Sequence, residues 1–200
     1  MKTQNTVRLC LCLSLAAVAV WAQESGASDR KAVPAQLITP SPQSAAPSKA
    51  EAGVGDVAPD FVTKDLAGKE VRLADYKGKV VVLDFWATWC GPCLSSMPHT
   101  QEVAKRFKDK DVVVLAACTS DSQAAFEKWV KENASKYPDI VFTRDPNAEG
   151  EDQASRKLYG VTGIPTQFVI DREGKIVASI VGYSPGDKRL EEALGKAGVK

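Results

Sequence analysis

The apolar positions of this chain fall into short, dense runs separated by polar segments. Val80-Val81-Val82-Leu83-Asp84-Phe85-Trp86 is apolar at every position but one. That is the pattern of a strand covered on both faces rather than on one. Val112 to Ala117 forms a second such run. Between them Leu94, Met97, Ala104 and Phe107 recur at helical spacing, which predicts a helix over Pro92–Phe107 with a kink at Pro98. Asp121–Asn133 reads as a helix with Ala125, Phe126, Trp129 and Val130 on one side, Ile140–Phe142 as a short strand and Gln153–Tyr159 as a short helix. Thr166–Ile170 and Lys175–Val181 flank Asp171-Arg172-Glu173-Gly174, a hairpin whose turn carries glycine. Asp187–Leu194 is a last helix, and Val71-Arg72-Leu73 a strand after the Ala67-Gly68-Lys69 turn. Strands and helices that alternate, then a hairpin and a helix, predict an α/β fold: a central mixed sheet flanked by helices on both faces.

The first 53 residues have a different pattern. Lys2 and Arg8 precede Leu9–Ala22, a 14-residue run without charge that ends in Val20-Trp21-Ala22. This reads as an export signal cleaved before Gln23, or as a retained anchor, although a bilayer span needs roughly 20 apolar residues. Gln23–Gly53 holds Pro34, Pro40, Pro42 and Pro47 and no aromatic residue. It has too little apolar surface to offset its ordering entropy and reads as a flexible tether. The expected organisation is therefore a signal or anchor over 1–22, a linker over 23–53 and one domain over 54–200. The expected location is the periplasm or an equivalent extracytoplasmic space, with membrane contact only through a retained N-terminus.

Lys and Arg number 26 against 25 for Asp and Glu, so no global field attracts nucleic acid or an acidic membrane. Five cysteines are too few for a disulfide-stapled scaffold of this length. Only Cys90 and Cys93 have a spacing that suggests chemistry. Cys90 stands where the first buried strand meets a helix with Pro92 in its first turn. Free amides and the positive end of the helix dipole favour a thiolate there, the species that attacks disulfides. Cys93, three residues on, is within reach to close a disulfide with it. The rival reading of such a pair is half of a zinc site, which needs a second pair of ligands. Only Cys118 and His99 remain in the domain to supply one. Cys118 closes the second strand and reads as a small buried residue near the active edge. His99 reads as a surface helix residue. Trp86 reads as core packing, and Trp89 as rim packing or part of a substrate groove.

The segment Asp84-Phe85-Trp86-Ala87-Thr88-Trp89-Cys90-Gly91-Pro92-Cys93 resembles the active-site segment of thioredoxins, and Gly163-Ile164-Pro165-Thr166 resembles their cis-proline loop. Ala58-Pro59-Asp60-Phe61, Tyr76-Lys77-Gly78-Lys79 and the insertion before the hairpin resemble the exported TlpA/ResA-type thioredoxin-like proteins, which border the alkyl hydroperoxide reductase family. The resemblance covers about 54–200. It implies a thioredoxin fold with an N-terminal extension; no cofactor is expected, and no metal, since a second ligand pair is missing. It also implies that Cys90 is the exposed nucleophile and Cys93 the buried resolving thiol. Trp89, Gly91, Pro92, Ile164 and a cis Pro165 would shape the substrate groove. A membrane thiol reductase would be the electron donor, and disulfide-bonded proteins such as apocytochrome c the clients.

Asp84 stands where ordinary thioredoxins carry a buried acid, whose pKa burial should raise and which could carry a proton for Cys93. The alternatives are that Asp84 faces outward or is structurally bonded. Many TlpA/ResA-type relatives carry Glu three residues after the second cysteine; here that residue is Ser96, which leaves the route of proton transfer open. The Gly-Pro dipeptide resembles that of reducing thioredoxins and points to a reductase. Two other functions compete. A peroxidase of the bordering family would need T-x-x-C, whereas Thr88 is two residues before Cys90. A metal-binding chaperone module would need a distant histidine, and His99 is the single one in the chain.

Overall fold

The computed structural model describes residues 51–200. The expected signal or anchor and the linker up to residue 50 lie outside the described residues. Glu51, Ala52 and Gly53, assigned to the linker, join the fold: Ala52 is buried and its N–H donates to the carbonyl of Leu158 at 2.8 Å.

Seven strands form one mixed sheet. They are β1 (Val62–Lys64), β2 (Glu70–Arg72), β3 (Val80–Trp86), β4 (Val112–Cys118), β5 (Ile140–Arg144), β6 (Thr166–Ile170) and β7 (Ile176–Val181), in the order β2-β1-β5-β4-β3-β6-β7. β3, β4 and β5 run parallel, and β6 pairs antiparallel with both β3 and β7. The helices are α1 (Gly91–Phe107), α2 (Gln123–Asn133), the one-turn α3 (Ala154–Lys157) and α4 (Arg189–Lys196).

Every residue of β3 is buried, as its unbroken apolar run requires. Alternate side chains serve two cores. Val80, Val82 and Trp86 pack with residues of α1, α2 and α4, including Met97, Phe126 and Leu194. Val81, Leu83 and Phe85 pack on the other face with Phe61, Tyr159 and Phe168. The expected α/β architecture is therefore present, with its three longer helices on one face. The second face is closed by α3, the N-terminal segment and a 3-10 turn over Leu73–Tyr76. Burying a side chain the size of Phe or Trp contributes about 2–3 kcal/mol, so these two layers hold the sheet from both sides.

Local side chains set the element ends where the hydrophobic pattern misplaces them. Leu73, expected in a strand, opens the 3-10 turn instead, because Asp60 accepts the Ala74 N–H at 3.0 Å and Asp75 accepts that of Arg72 at 3.0 Å. Ser122 caps α2 through the Ala125 N–H at 3.1 Å, so the helix starts two residues later than expected. The strand β1 has no counterpart in the sequence reading; three residues carry too little periodicity to be seen. α1 is helical on both sides of Pro98.

Candidate active site

The end of β3 and the start of α1 meet at Ala87–Cys90. Cys90 is the N-cap of α1: its backbone is extended (φ −82°, ψ 100°), and its carbonyl accepts the first helical hydrogen bond, from Leu94 at 3.0 Å. The cap is made by sulfur. Cys93 N–H donates to Cys90 Sγ at 3.2 Å, so an orphan donor of the helix terminus points at the sulfur. Pro92 occupies the first turn, where a missing N–H costs nothing. Cys90 and Cys93 are joined by a disulfide, with their Cα atoms 5.2 Å apart.

The loop before β6 closes over this disulfide. The Ile164–Pro165 peptide is cis, as expected. Ile164 O lies 3.7 Å from Cys90 Sγ, a hydrogen bond open to that sulfur only when it carries a proton. Thr166 Oγ1 donates to Gly163 O at 2.7 Å and Gly182 N–H to Pro165 O at 2.8 Å, which fixes the loop to β6 and β7. Trp89 stands out into solvent at 65% exposure, its indole N–H held by Ser120 O at 2.9 Å. Gly91 and Pro92 are exposed beside it. The residues expected around the groove are thus gathered at one edge of the sheet.

One expectation needs correcting. Cys90 is not exposed: it is 4% accessible, against 0% for Cys93. In the disulfide its sulfur turns inward to Cys93 and lies under Ile164.

Asp84 is 1% exposed, so the outward-facing alternative does not hold. It alternates with Val82 and Trp86 and therefore faces the layer that contains Cys93 and Met97. Gln167, opposite it on β6, donates to Oδ2 at 2.9 Å, while Oδ1 has no hydrogen-bond partner. Burial in this apolar layer pushes the carboxyl from its ordinary 3.8 up to about 7, and the Gln167 bond offsets part of the rise. Gln167 also lies 3.3 Å from Thr100 Oγ1 on α1. One turn earlier, the buried Ser96 hydroxyl donates to Cys93 O at 2.7 Å. A hydroxyl therefore occupies, within α1, the position three residues after Cys93.

The Redoxin family profile matches residues 53–194. The chain belongs to the Redoxin family. Within it, it is a thioredoxin-like thiol–disulfide oxidoreductase of the TlpA/ResA type. The thiol-disulfide oxidoreductase ResA of Bacillus thuringiensis subsp. konkukian is 38% identical over 143 residues, covering 72% of this chain and 78% of the relative. ResA of Bacillus subtilis is 35% identical over 128 residues, covering 64% and 67%. Among solved structures, the exposed lipoprotein thioredoxin of Streptococcus pneumoniae is 38% identical with a TM-score of 0.57, covering 68% of this chain and 99% of that one. The thio-disulfide isomerase of Thermus thermophilus is 31% identical with a TM-score of 0.57, covering 74% and 99%.

In this Redoxin chain the support of the active-site loop comes from residues the sequence reading passed over. Asp121, 6% exposed, accepts the Thr88 N–H at 2.6 Å and lies 3.5 Å from Cys118 Sγ. Arg144 in turn grips Asp121 O through Nε at 3.1 Å and Nη2 at 2.8 Å. The available signal was a carboxylate three residues after a buried strand, but the helical pattern that follows hid it. Cys118 is fully buried opposite Trp86, as expected of a packing residue. Burial and the adjacent Asp121 push its thiol far above the ordinary cysteine range, so it stays protonated. His99 is half-buried rather than fully exposed: its Nε2 lies 3.2 Å from Glu191 Oε1, which ties α1 to α4, and its ring packs against Tyr183.

Proposed function

We propose that the protein is an exported disulfide reductase in which Cys90 attacks client disulfides and Cys93 resolves the mixed disulfide. The observation that carries this reading is the Cys90–Cys93 disulfide at the N-terminus of α1, under the Ile164–Pro165 loop. In the dithiol form, the helix terminus and the Cys93 N–H favour the Cys90 thiolate. That thiolate attacks one sulfur of a client disulfide, forming a bond to it and expelling the other client sulfur as a thiolate. Cys93 gives up its proton and attacks Cys90 Sγ. This releases the second client thiolate and leaves the enzyme as the disulfide seen here. Asp84, with a carboxyl near pKa 7 in the same layer, is the acceptor for the Cys93 proton. Trp89, Gly91, Pro92, Ile164 and Pro165 line the groove in which the client strand lies. The reaction moves electrons by exchanging sulfur–sulfur bonds and needs neither cofactor nor metal.

The location rests on the Lys2/Arg8 start, the Leu9–Ala22 run and the tether that follows. Outside the cytoplasm a reductase must be recharged, so a membrane thiol reductase is the donor and exported disulfide proteins, apocytochrome c among them, are the clients. Trapping tests the roles. Cys93→Ser should accumulate disulfide-linked client adducts on a non-reducing gel, and Cys90→Ser should trap nothing and reduce nothing. Adducts on Cys90→Ser alone would reverse the assignment. The reduction potential of the pair tests the direction: about −270 mV supports a reductase, and about −120 mV an oxidant.

A further inference from the structure

Next to the disulfide is a cleft of about 300 Å³, and it shares Trp89 and Ile164 with the redox centre. Its floor is polar and already satisfied. The buried Thr119 hydroxyl donates to Gln153 Oε1 at 3.1 Å and lies 2.9 Å from Ser155 Oγ, and Gln153 Nε2 donates to Ala148 O at 2.8 Å. Its mouth holds one formal charge, Arg156, and none of the residues that line it is acidic. The Arg156 side chain is exposed and makes no ion pair among the described residues. Glu51, Glu149 and Glu151 border the adjoining recesses that Arg156 also lines, without pairing with it. A guanidinium is left free for a carboxylate, and the indole of Trp89 and the side chain of Ile164 form apolar walls that strengthen such a pair.

We propose that this cleft is a specificity subsite that takes an acidic side chain of the client, carried within two residues of the cysteine that Cys90 attacks. The inference rests on the reductase reading above and adds a preference to it. A client strand lying across Trp89 and Ile164 brings its neighbouring side chains to the cleft mouth, where Arg156 forks onto the carboxylate.

The test uses short peptides with one cysteine held as the mixed disulfide with 2-mercaptoethanol, an uncharged leaving group. Glu, Gln or Lys is placed in turn at each of the two positions on either side of the cysteine. The pre-reduced protein is mixed with each peptide, and release of the peptide thiol gives kcat/KM. The readout is the Glu-to-Gln ratio within each variant. At one or more positions the native protein should prefer Glu by about two- to fivefold, the range of a partly exposed ion pair, and high salt should shrink that preference. Arg156→Gln should bring the ratio to unity, and Arg156→Glu should shift the preference to the Lys peptide. A native protein that reduces the peptides without preferring Glu, or whose preference survives Arg156→Gln, overturns the subsite and leaves the reductase reading standing. A native protein that reduces none of them overturns that reading and the subsite with it.

Discussion

Replacing Asp84 by Asn removes a buried proton-binding site while keeping the side chain's shape. Asp84 titrates near 7 in the folded protein, against an ordinary value of 3.8. Its folded pKa is raised, so between these two values the folded state holds a proton that the unfolded chain has released. Stability therefore falls as pH rises across that window and levels off above it. Each pH unit is worth about 1.4 kcal/mol, so the full penalty above pH 7 is about 4 kcal/mol, of which about 2 kcal/mol is already present at pH 5. Asn carries no such penalty. Its amide can still accept from Gln167, but it puts an N–H₂ where Oδ1 now has no partner, at a cost of about 1–3 kcal/mol that does not depend on pH. The change in stability on substitution should therefore grow by about 2–3 kcal/mol in favour of Asn between pH 5 and pH 9, whatever its absolute size. Urea unfolding of both proteins in the disulfide form, at pH 5, 7 and 9, measures this directly. In thermal scans the gain corresponds to about 2–4 °C per kcal/mol for a domain of this size. The same substitution should slow disulfide exchange near neutral pH and flatten the rate profile around pH 7, because it removes the proposed proton acceptor for Cys93. Native and substituted proteins whose stabilities run parallel from pH 5 to pH 9 would falsify the account of Asp84.

Trp86→Ala empties the centre of the layer shared by α1, α2 and α4, and should cost about 3–5 kcal/mol in denaturant unfolding; a loss below 1 kcal/mol would mean the layer repacks. Asp121→Ala strands the Thr88 N–H and should lower stability by about 1–3 kcal/mol and slow exchange, while Asp121→Asn, which keeps an acceptor, should recover most of both; equal behaviour of the two variants would argue against the loop-anchoring role. Cys118 should resist iodoacetamide in the folded protein and react fully in urea, as read by mass spectrometry; fast labelling without denaturant would contradict its burial. Trp89→Ala should leave the thermal stability of the oxidised protein nearly unchanged, since its ring is mostly in solvent, and should weaken reduction of protein clients by the dithiol form more than reduction of small disulfides; equal loss on both substrates would remove it from the proposed groove.

The sequence by itself determined the elements whose pattern is long and regular. β3 and β4 are legible because a strand buried on both faces must be apolar throughout, and α1 is legible from its spacing and from Pro92 at its start. Cys90 and Cys93 are legible because their chemistry depends on neighbours in sequence, a helix terminus and a three-residue gap. Asp84 stands out as the single acid inside an apolar run; the fold then buries it, which raises its pKa, and Gln167 offsets part of the rise.

Tertiary structure decided whatever depends on partners distant along the chain. Ile164 lies against Cys90, 74 residues away, because β6 pairs with β3. The low accessibility of Cys90 comes from that closure, which no local pattern records. Asp121 reads as the first residue of a helix until the sheet sets it under Thr88, and His99 reads as surface until α4 packs against α1. Arg156 is one cation among 26 basic residues in the sequence. Only the folded chain puts it at the mouth of a cleft beside the disulfide, because a side chain's electrostatic role is set by its distance to other groups in space, and sequence separation does not encode that distance.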